Sequence, residues 1–218
     1  MSALSLRLNQ AKIRLKGFHT LIDIGTDHAL LPIEAIRMGY IQRAIAVDNK
    51  QKPLDNAKKN IVKARLEGAI DVCLSDGFDQ VEATFDVVTI LGMGGHLIND
   101  ILMRAKFSQP VRLILAPNKD ADVVRMWLEA NHYQIIDESF IVDKRVFYQL
   151  IVAETGEMRL NPIEREFGPM VLKRPNGTFN DFIHTLIRQQ EHALKNVKQS
   201  DERENISARI RVLKGVIQ

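Results

Sequence analysis

The sequence predicts an α/β fold in which a doubly wound parallel sheet is followed by a pair of helices. Three observations predict it. Short apolar runs alternate with segments of helical periodicity up to about residue 130, two longer apolar runs flank a short polar turn at 143–145, and only helical periodicity follows Gly156. With 218 residues, 45% of them hydrophobic and 26% charged, the chain is expected to form one globular domain and a small additional module. No apolar run approaches the roughly 18 residues of a membrane-spanning helix.

Seven apolar runs of strand length are expected to form the sheet. They are 21–25, 43–48, 70–74, 85–91, 111–116, 133–142 and 146–153. Helical periodicity between the first five predicts the crossovers of a parallel sheet, at 33–38, 53–67, 97–105 and 121–131. The turn Asp143-Lys144-Arg145 joins the last two runs, so we expect these two strands to be antiparallel. A Rossmann-like, seven-stranded sheet with an antiparallel last strand is the architecture of class I methyltransferases.

Both ends of the chain are predicted to be helical and basic. Residues 4–15 form a short amphipathic helix, and the first twenty residues hold four basic side chains and no acidic one. A transit peptide has a similar composition, but this helix runs directly into the first strand. Apolar residues over 179–197 and 206–217 predict a helical hairpin with a break at Ser200-Asp201. We therefore predict a methyltransferase-type domain over 1–156 and a helical-hairpin domain over 157–218.

The first strand ends in Asp23-Ile-Gly25-Thr-Asp27, which predicts a nucleotide-type cofactor site. Open parallel sheets bind ligands beyond the carboxyl ends of their strands, and Gly25 allows close approach of the backbone there. A dinucleotide fingerprint would place glycines at 25, 27 and 30, whereas this chain has Asp27 and Leu30. A carboxylate there repels phosphate and favours a cation. The expected cofactor is S-adenosylmethionine, which carries a sulfonium and an amino group and no phosphate.

Acids or glycines also follow the next strands, as one convergent site requires. We expect Asp27 to accept a hydrogen bond from the amino group of the cofactor, Asp48 from its ribose and Asp76 from its adenine. For Asp48, capping of the following helix is the alternative, and for the glycines at 92, 94 and 95 it is a strained turn. The candidate cofactor-binding residues are Asp23, Gly25, Thr26, Asp27, His28, Ala29, Asp48, Asn49, Ser75, Asp76, Gly77, Leu91, Gly92, Met93 and Gly94.

No metal site is expected from the sequence. His28 and His96 lack a ligand partner at usable spacing, and Cys73, the only cysteine, is expected to be a small buried apolar residue. Local hydrogen bonding to the backbone is the expected role of His28. A single cysteine forms no internal disulfide and indicates a reducing compartment, so a cytoplasmic location is expected.

Four segments together resemble the bacterial TrmK family. They are Asp-Ile-Gly-Thr-Asp-His-Ala-x-Leu-Pro at 23–32, Gly-Met-Gly-Gly at 92–95, Leu-Ile-Leu-x-Pro-Asn at 113–118 and the C-terminal helical hairpin, and the resemblance extends over essentially the full chain. The chain departs from the family pattern at Leu30, where tyrosine is usual, at Ala116, where glutamine is common, and at Leu91, where alanine is common.

The resemblance implies an S-adenosylmethionine-dependent methyltransferase that acts on N1 of adenine 22 in the D arm of tRNA. It suggests Asp27 as a carboxylate that stabilises the cationic product and Asn118 as a residue that orients the base. The candidate RNA-binding residues are Arg7, Lys12, Arg14, Gly95 and His96. The expected partner is tRNA, with neither membrane nor metal, and the expected state is a monomer or weak homodimer. Two other functions remain open. The methyl acceptor could be a different RNA, a protein or a small molecule, or the chain could be a non-catalytic RNA-binding module. For the basic residues, simple solvation is the alternative role.

Overall fold

The computed structural model describes residues 4–143 and 146–217 and separates into two compact units, Met1–Pro169 and Met170–Gln218. The first unit contains one seven-stranded sheet. Its strands are β1 (Thr20–Ile24), β2 (Arg43–Asp48), β3 (Ile70–Leu74), β4 (Val87–Leu91), β5 (Arg112–Ala116), β6 (Tyr133–Asp143) and β7 (Val146–Thr155). Their order across the sheet is β3-β2-β1-β4-β5-β7-β6.

The first five strands are parallel, and β7 lies antiparallel between β5 and β6. The predicted fold class, a Rossmann-like sheet of seven strands with an antiparallel last strand, is therefore confirmed. The central strands β1, β2, β4 and β5 are buried almost throughout, which explains their continuous aliphatic sequences.

Helices connect the strands and cover the sheet. In the first unit they are α1 (Leu6–Ile13), α2 (Leu30–Arg37), α3 (Gln51–Ala64), α4 (Gly95–Met103), α5 (Ala121–Ala130) and α6 (Pro162–Phe167). The side chain of Ser5 accepts a hydrogen bond from the Leu8 amide and so caps α1. Asn161 and Glu164 form a reciprocal capping box at the start of α6. Among the described residues, no helix has the length and apolarity needed to cross a membrane.

A buried ion pair attaches α6 to the sheet. Arg125 on α5 donates to Glu138 on β6 at 2.8 Å, and the two side chains are each only 1% exposed. The same guanidinium donates to the backbone carbonyls of Arg165 and Glu166. Because a buried charge requires such partners, this network keeps the start of the predicted C-terminal domain in the first unit. The domain assignment itself, with its boundary at residue 156, stays a prediction.

The short helix α7 (Pro169–Lys173) precedes the two long helices of the second unit, α8 (Gly177–Asn196) and α9 (Ser200–Val216). The predicted break at Ser200-Asp201 is wrong by a few residues, since the link is 197–199 and Ser200 already belongs to α9. Two features explain this position. Arg203 donates to the carbonyls of Leu194 and Val197 at the end of α8, and Asp201 lies in the first turn of α9, where an acid is favourable.

In the first unit several predicted bounds differ from the observed ones by one to three residues; α2, for example, begins at Leu30 and not at residue 33. Strand β4 begins at Val87 instead of Phe85, because the ring of Phe85 packs with Phe78 and Phe107 outside the strand. Cys73 is half-buried instead of buried, and its thiol approaches the Gln80 carbonyl at 3.6 Å. Two residues of the predicted turn, Lys144 and Arg145, lie outside the described residues.

Candidate active site at the carboxyl edge of the sheet

The register of the parallel strands brings their carboxyl ends to one edge. Ile24 at the end of β1 lies opposite Val47 of β2 and Ile90 of β4, and Leu91 lies opposite Ala116 of β5. Two adjoining concavities open at this edge, with volumes of about 360 Å³ and about 130 Å³. Both are lined by Gly25, Asp27 and Leu91. We call the pair together the cleft.

A buried carboxylate connects the loops that follow β1 and β4. Asp23 accepts hydrogen bonds from the Thr26 hydroxyl at 2.8 Å and from the Thr89 hydroxyl at 2.6 Å. Thr89 lies directly opposite Asp23 in the register of β1 and β4. Burial raises the pKa of the Asp23 carboxyl, and the two hydroxyl donors partly oppose that shift. The pair of bonds therefore fixes the base of the cleft.

Gly25 turns the chain sharply out of β1. Its φ is +78°, and a Cβ atom at this position would collide with Cε of Met93. The amides of Gly25 and Thr26 both donate to the carbonyl of Val47 at the end of β2. The first loop is thus held against the loops that follow β2 and β4, as a shared site requires.

The three acids that the sequence assigned to particular groups of the cofactor have different surroundings. Asp48 accepts a hydrogen bond from the Lys50 amide at 2.9 Å, so it caps the turn into α3, while it also lines the cleft. Asp76 is paired with Arg104 at 3.0 Å. Asp27 has a side chain that is 69% exposed, and Nε2 of His28 is its nearest ionic partner at 3.4 Å. The ring of His28 thus lies near a carboxylate, whereas the sequence suggested a local hydrogen bond to the backbone.

Asn118 holds the Gly92-Met93-Gly94-Gly95 loop in place. Its side-chain amide donates to the Gly92 carbonyl at 2.6 Å, and its backbone amide donates to the Met93 carbonyl at 2.8 Å. A Cβ at Gly95 would collide with the carbonyl of Asp120. Close backbone approach therefore explains this glycine.

Arg7 reaches the cleft from α1. Its Nη1 donates to Oδ1 of Asn118 at 3.5 Å and would lie 2.8 Å from a Cβ placed at Gly92. The guanidinium also lies over the ring of Tyr148, 4.9 Å from its centroid. The N-terminal helix thus forms one wall of the candidate site.

Most of the predicted site residues line the cleft. From the cofactor set, three do not: Ala29 is buried at the start of α2, Ser75 accepts from the Gln80 amide, and Gly94 caps α4. The candidate RNA-binding residues differ in their exposure to solvent. Arg14 is paired with Asp137 at 2.6 Å, and its side chain is only 15% exposed. Gly95 is buried, whereas Lys12 is half-buried and His96 is exposed.

Sequence reasoning missed several residues of the site, notably Thr89, Arg104 and Tyr148. A single hydroxyl inside the aliphatic run of β4 is a signal for Thr89, since it falls beside an acid in the neighbouring strand. Arg104 and Tyr148 have no comparable signal, because their proximity to the cleft arises from contacts across the fold.

A larger groove of about 620 Å³ lies beside Phe78, Phe85 and Phe107. None of the predicted site residues lines it. Among residues 4–143 and 146–217, the histidines, cysteine and acids form no cluster suited to a metal ion.

Comparison with known proteins gives consistent matches over nearly the full chain. The model of the TrmK family, tRNA (adenine(22)-N(1))-methyltransferase, matches residues 21–216. The tRNA (adenine(22)-N(1))-methyltransferase of Bacillus subtilis strain 168 is 31% identical over 98% of this chain and 97% of its own length.

Solved structures show the same similarity. Streptococcus pneumoniae Sp1610 in complex with S-adenosyl-L-methionine is 34% identical, with a TM-score of 0.89 over 99% of this chain and 100% of that one. Mycoplasma capricolum TrmK in complex with S-adenosyl-homocysteine is 30% identical, with a TM-score of 0.88 and full coverage of both chains.

Replacing Gly25 by alanine is expected to weaken binding of S-adenosylmethionine about tenfold, because the added methyl group displaces the Met93 side chain, which lines the cleft. Isothermal titration of the purified variant measures this. Gly39→Ala is the matched control, because Gly39 has φ +67° with no atom within 4 Å of an added Cβ. Equal affinities for the two variants would contradict the prediction.

Replacing Asp23 by asparagine is expected to change how stability depends on pH. The folded-state pKa of Asp23 lies above its ordinary value of 3.8, so folding favours its protonated form. The contribution of Asp23 to stability is therefore present at pH values below 3.8 and is lost as pH rises through its folded-state pKa. Urea unfolding over a pH series should show that the unfolding free energy of Asp23→Asn increases relative to that of the wild type as pH rises. A difference in unfolding free energy that is constant with pH would refute the assignment.

Proposed function

The chain belongs to the TrmK family of tRNA (adenine(22)-N(1))-methyltransferases, and from this premise we propose that the cleft is its active site. The protein is an S-adenosylmethionine-dependent enzyme that methylates N1 of adenine 22 in tRNA. The observation that supports the proposed site is the convergence of the loops after β1, β2, β3 and β4 on one concavity lined by Asp27, Asp48 and Asp76.

The residues of the cleft fit the cofactor. The absence of a Cβ at Gly25 allows Met93 to pack against the first loop, and the acids suit a ligand that carries positive charge and no phosphate. Asp48 keeps one carboxylate oxygen for ribose hydroxyls while the other accepts from Lys50. Asp76, whose carboxylate accepts a hydrogen bond from Arg104, is proposed to bind the adenine, and Leu97 and Ile101 add an apolar wall.

When bound, S-adenosylmethionine supplies an electrophilic methyl group at its sulfonium. The acceptor, N1 of adenine, carries a lone pair at neutral pH, so the chain needs no strong base to expose it. The main task of the protein is to hold the base in reach and in the correct orientation. Asn118 is proposed to orient the base, since its side-chain amide lies at the rim of the cleft between Gly92 and Arg7.

Asp27 is proposed to stabilise the positive charge that develops on the methylated adenine. Asp48 and Asp76 are engaged by Lys50 and Arg104, whereas the exposed Asp27 carboxylate lines both parts of the cleft. A carboxylate fixed beside a charge that grows in the transition state lowers the barrier. The backbone of Asp27 is left-handed, with φ +44°, a conformation that is uncommon outside glycine and that occurs at functional sites.

Adenine 22 must leave its stacked position in folded tRNA to reach the cleft. We propose that Arg7, Lys12 and Arg14 on or next to α1, with the exposed His96 at the start of α4, form the RNA-contacting face around the opening, while the buried Gly95 allows α4 to pack closely against Asp120. Arg14 would act mainly by anchoring α1 through Asp137, because that pair already engages its guanidinium. A cytoplasmic location and a monomeric or weakly dimeric state complete the proposal.

The proposed function is tested by methylation of an unmodified tRNA transcript with labelled S-adenosylmethionine. We expect label only at adenine 22, detected as N1-methyladenine by nuclease digestion and chromatography. A transcript with guanine at position 22 is the matched control and should take up no label. Label on both transcripts, or on neither, would overturn the assignment.

The proposed role of Asp27 is tested by Asp27→Asn. Loss of the carboxylate should lower kcat at least about tenfold at saturating cofactor, while donor affinity changes little, because the charge it stabilises forms only during reaction. Asp48→Asn is the comparison variant and should chiefly weaken donor binding. A loss of donor affinity in Asp27→Asn with kcat unchanged would assign Asp27 to the cofactor instead.

A further inference from the structure

Tyr148 lies at the same edge of the sheet as the cleft, although it was not a candidate from the sequence. Strand β7 runs antiparallel to β5, with Ile151 opposite Leu115. Counting back three residues along β7 places Tyr148 beyond the end of β5, on the side where Asn118 follows that strand. Its side chain is half-buried, so part of the ring remains accessible.

One side chain connects this ring to the cleft. The Arg7 guanidinium lies over the Tyr148 ring, donates to Asn118 and lies beside Gly92, all at once. Arg7 also lines the part of the cleft that contains Asp23 and Asp27. The Tyr148 ring is therefore separated from the cleft by a single arginine side chain.

A planar guanidinium and a purine base use an aromatic ring in the same way, by lying across its face. The hydrogen bond from Arg7 to Asn118 is long at 3.5 Å, and a cation–π contact at a partly exposed site is weak. Stacking of a base on the ring is strong enough to replace such contacts.

The positive charge of the methylated base disfavours the Arg7 guanidinium at the Tyr148 ring. The adenine becomes cationic when N1 is methylated, and a guanidinium held against it would oppose that change. Displacement from Tyr148 would free Arg7 for the phosphates that flank an everted nucleotide.

We propose that Tyr148 is the stacking platform for the target adenine and that Arg7 covers this platform until the base displaces it. This inference rests on the proposed function, since it names how the same site receives its nucleobase. Tyr148 is a substrate-binding residue in this scheme, and Arg7 is a reversible placeholder on the ring.

The experiment compares Tyr148→Leu and Tyr148→Ile with Tyr148→Phe in tRNA methylation. Losing the ring should lower kcat/KM for tRNA by about 5- to 150-fold, the range for loss of one base–aromatic stack. Affinity for S-adenosylmethionine, measured by isothermal titration, should stay within about twofold of wild type. Tyr148→Phe keeps the ring and should recover most of the loss.

Tyr40→Leu is the matched control. Tyr40 is also half-buried, but it precedes β2 at the opposite edge of the sheet, so kcat/KM should be unchanged. If both non-aromatic variants at position 148 retain kcat/KM within about threefold of the wild type, Tyr148 is not the platform. A loss in Tyr148→Phe as large as that in Tyr148→Leu would also overturn the proposal.

A fluorescence measurement tests the displacement directly. tRNA with 2-aminopurine at position 22, bound with S-adenosyl-homocysteine present, should be quenched by the wild type and brighter on Tyr148→Leu. Arg7→Ala should keep the quenching and raise KM for tRNA more than it lowers kcat. Loss of quenching in Arg7→Ala would mean that the guanidinium, and not the ring, holds the base.

The two proposals fail in different ways. A wild-type protein that leaves adenine 22 unmethylated overturns the proposed function together with this inference. Methylation by the wild type that is insensitive to the ring at position 148 overturns the inference alone.

Discussion

The buried carboxylate of Asp23 is the constraint on which the arrangement of the active site depends. It accepts hydroxyl hydrogens from Thr26, in the loop after β1, and from Thr89, within β4. The loop that carries Gly25 and Asp27 is thereby tied to the strand that leads into Gly92. Removing an acid from water is costly, and the raised pKa of Asp23 reflects that cost. This buried acid lies where the loop after β1 and strand β4 must keep one relative position.

The same constraint explains how acids serve a cofactor site in place of a glycine-rich phosphate cradle. A helix N-terminus that binds phosphate needs backbone amides that are free to contact the phosphate. Here Asp27 and His28 lie just before the start of α2. The neighbouring acids Asp48 and Asp76 are held in position by hydrogen bonds from Lys50 and Arg104. Among Asp27, Asp48 and Asp76, the carboxylate of Asp27 is the most exposed.

The N-terminal helix contributes to the site through two arginines with different tasks. Arg14 pairs with Asp137 on β6 and so anchors α1 against the antiparallel part of the sheet. That anchor brings Arg7, two turns earlier on the helix, over Tyr148 on β7. The basic character of the segment predicted an RNA-contacting role, but charge alone does not distinguish an anchor from a contact. The distinction needs the positions of Asp137 and Tyr148.

The sequence by itself determined the fold and the loops that form the cleft, because both depend on local patterns. A buried parallel strand requires an aliphatic run such as that of β2, and the predicted bounds of β2 and β3 match those of the structure. A sharp turn out of β1 requires a glycine at 25. Only the tertiary structure decided the partners of Asp23, Asp76 and Arg14, the 197–199 link and the presence of Tyr148 at the cleft. Most of these depend on contacts between residues far apart in the chain, such as Thr89 with Asp23, and side-chain periodicity carries no information about such contacts.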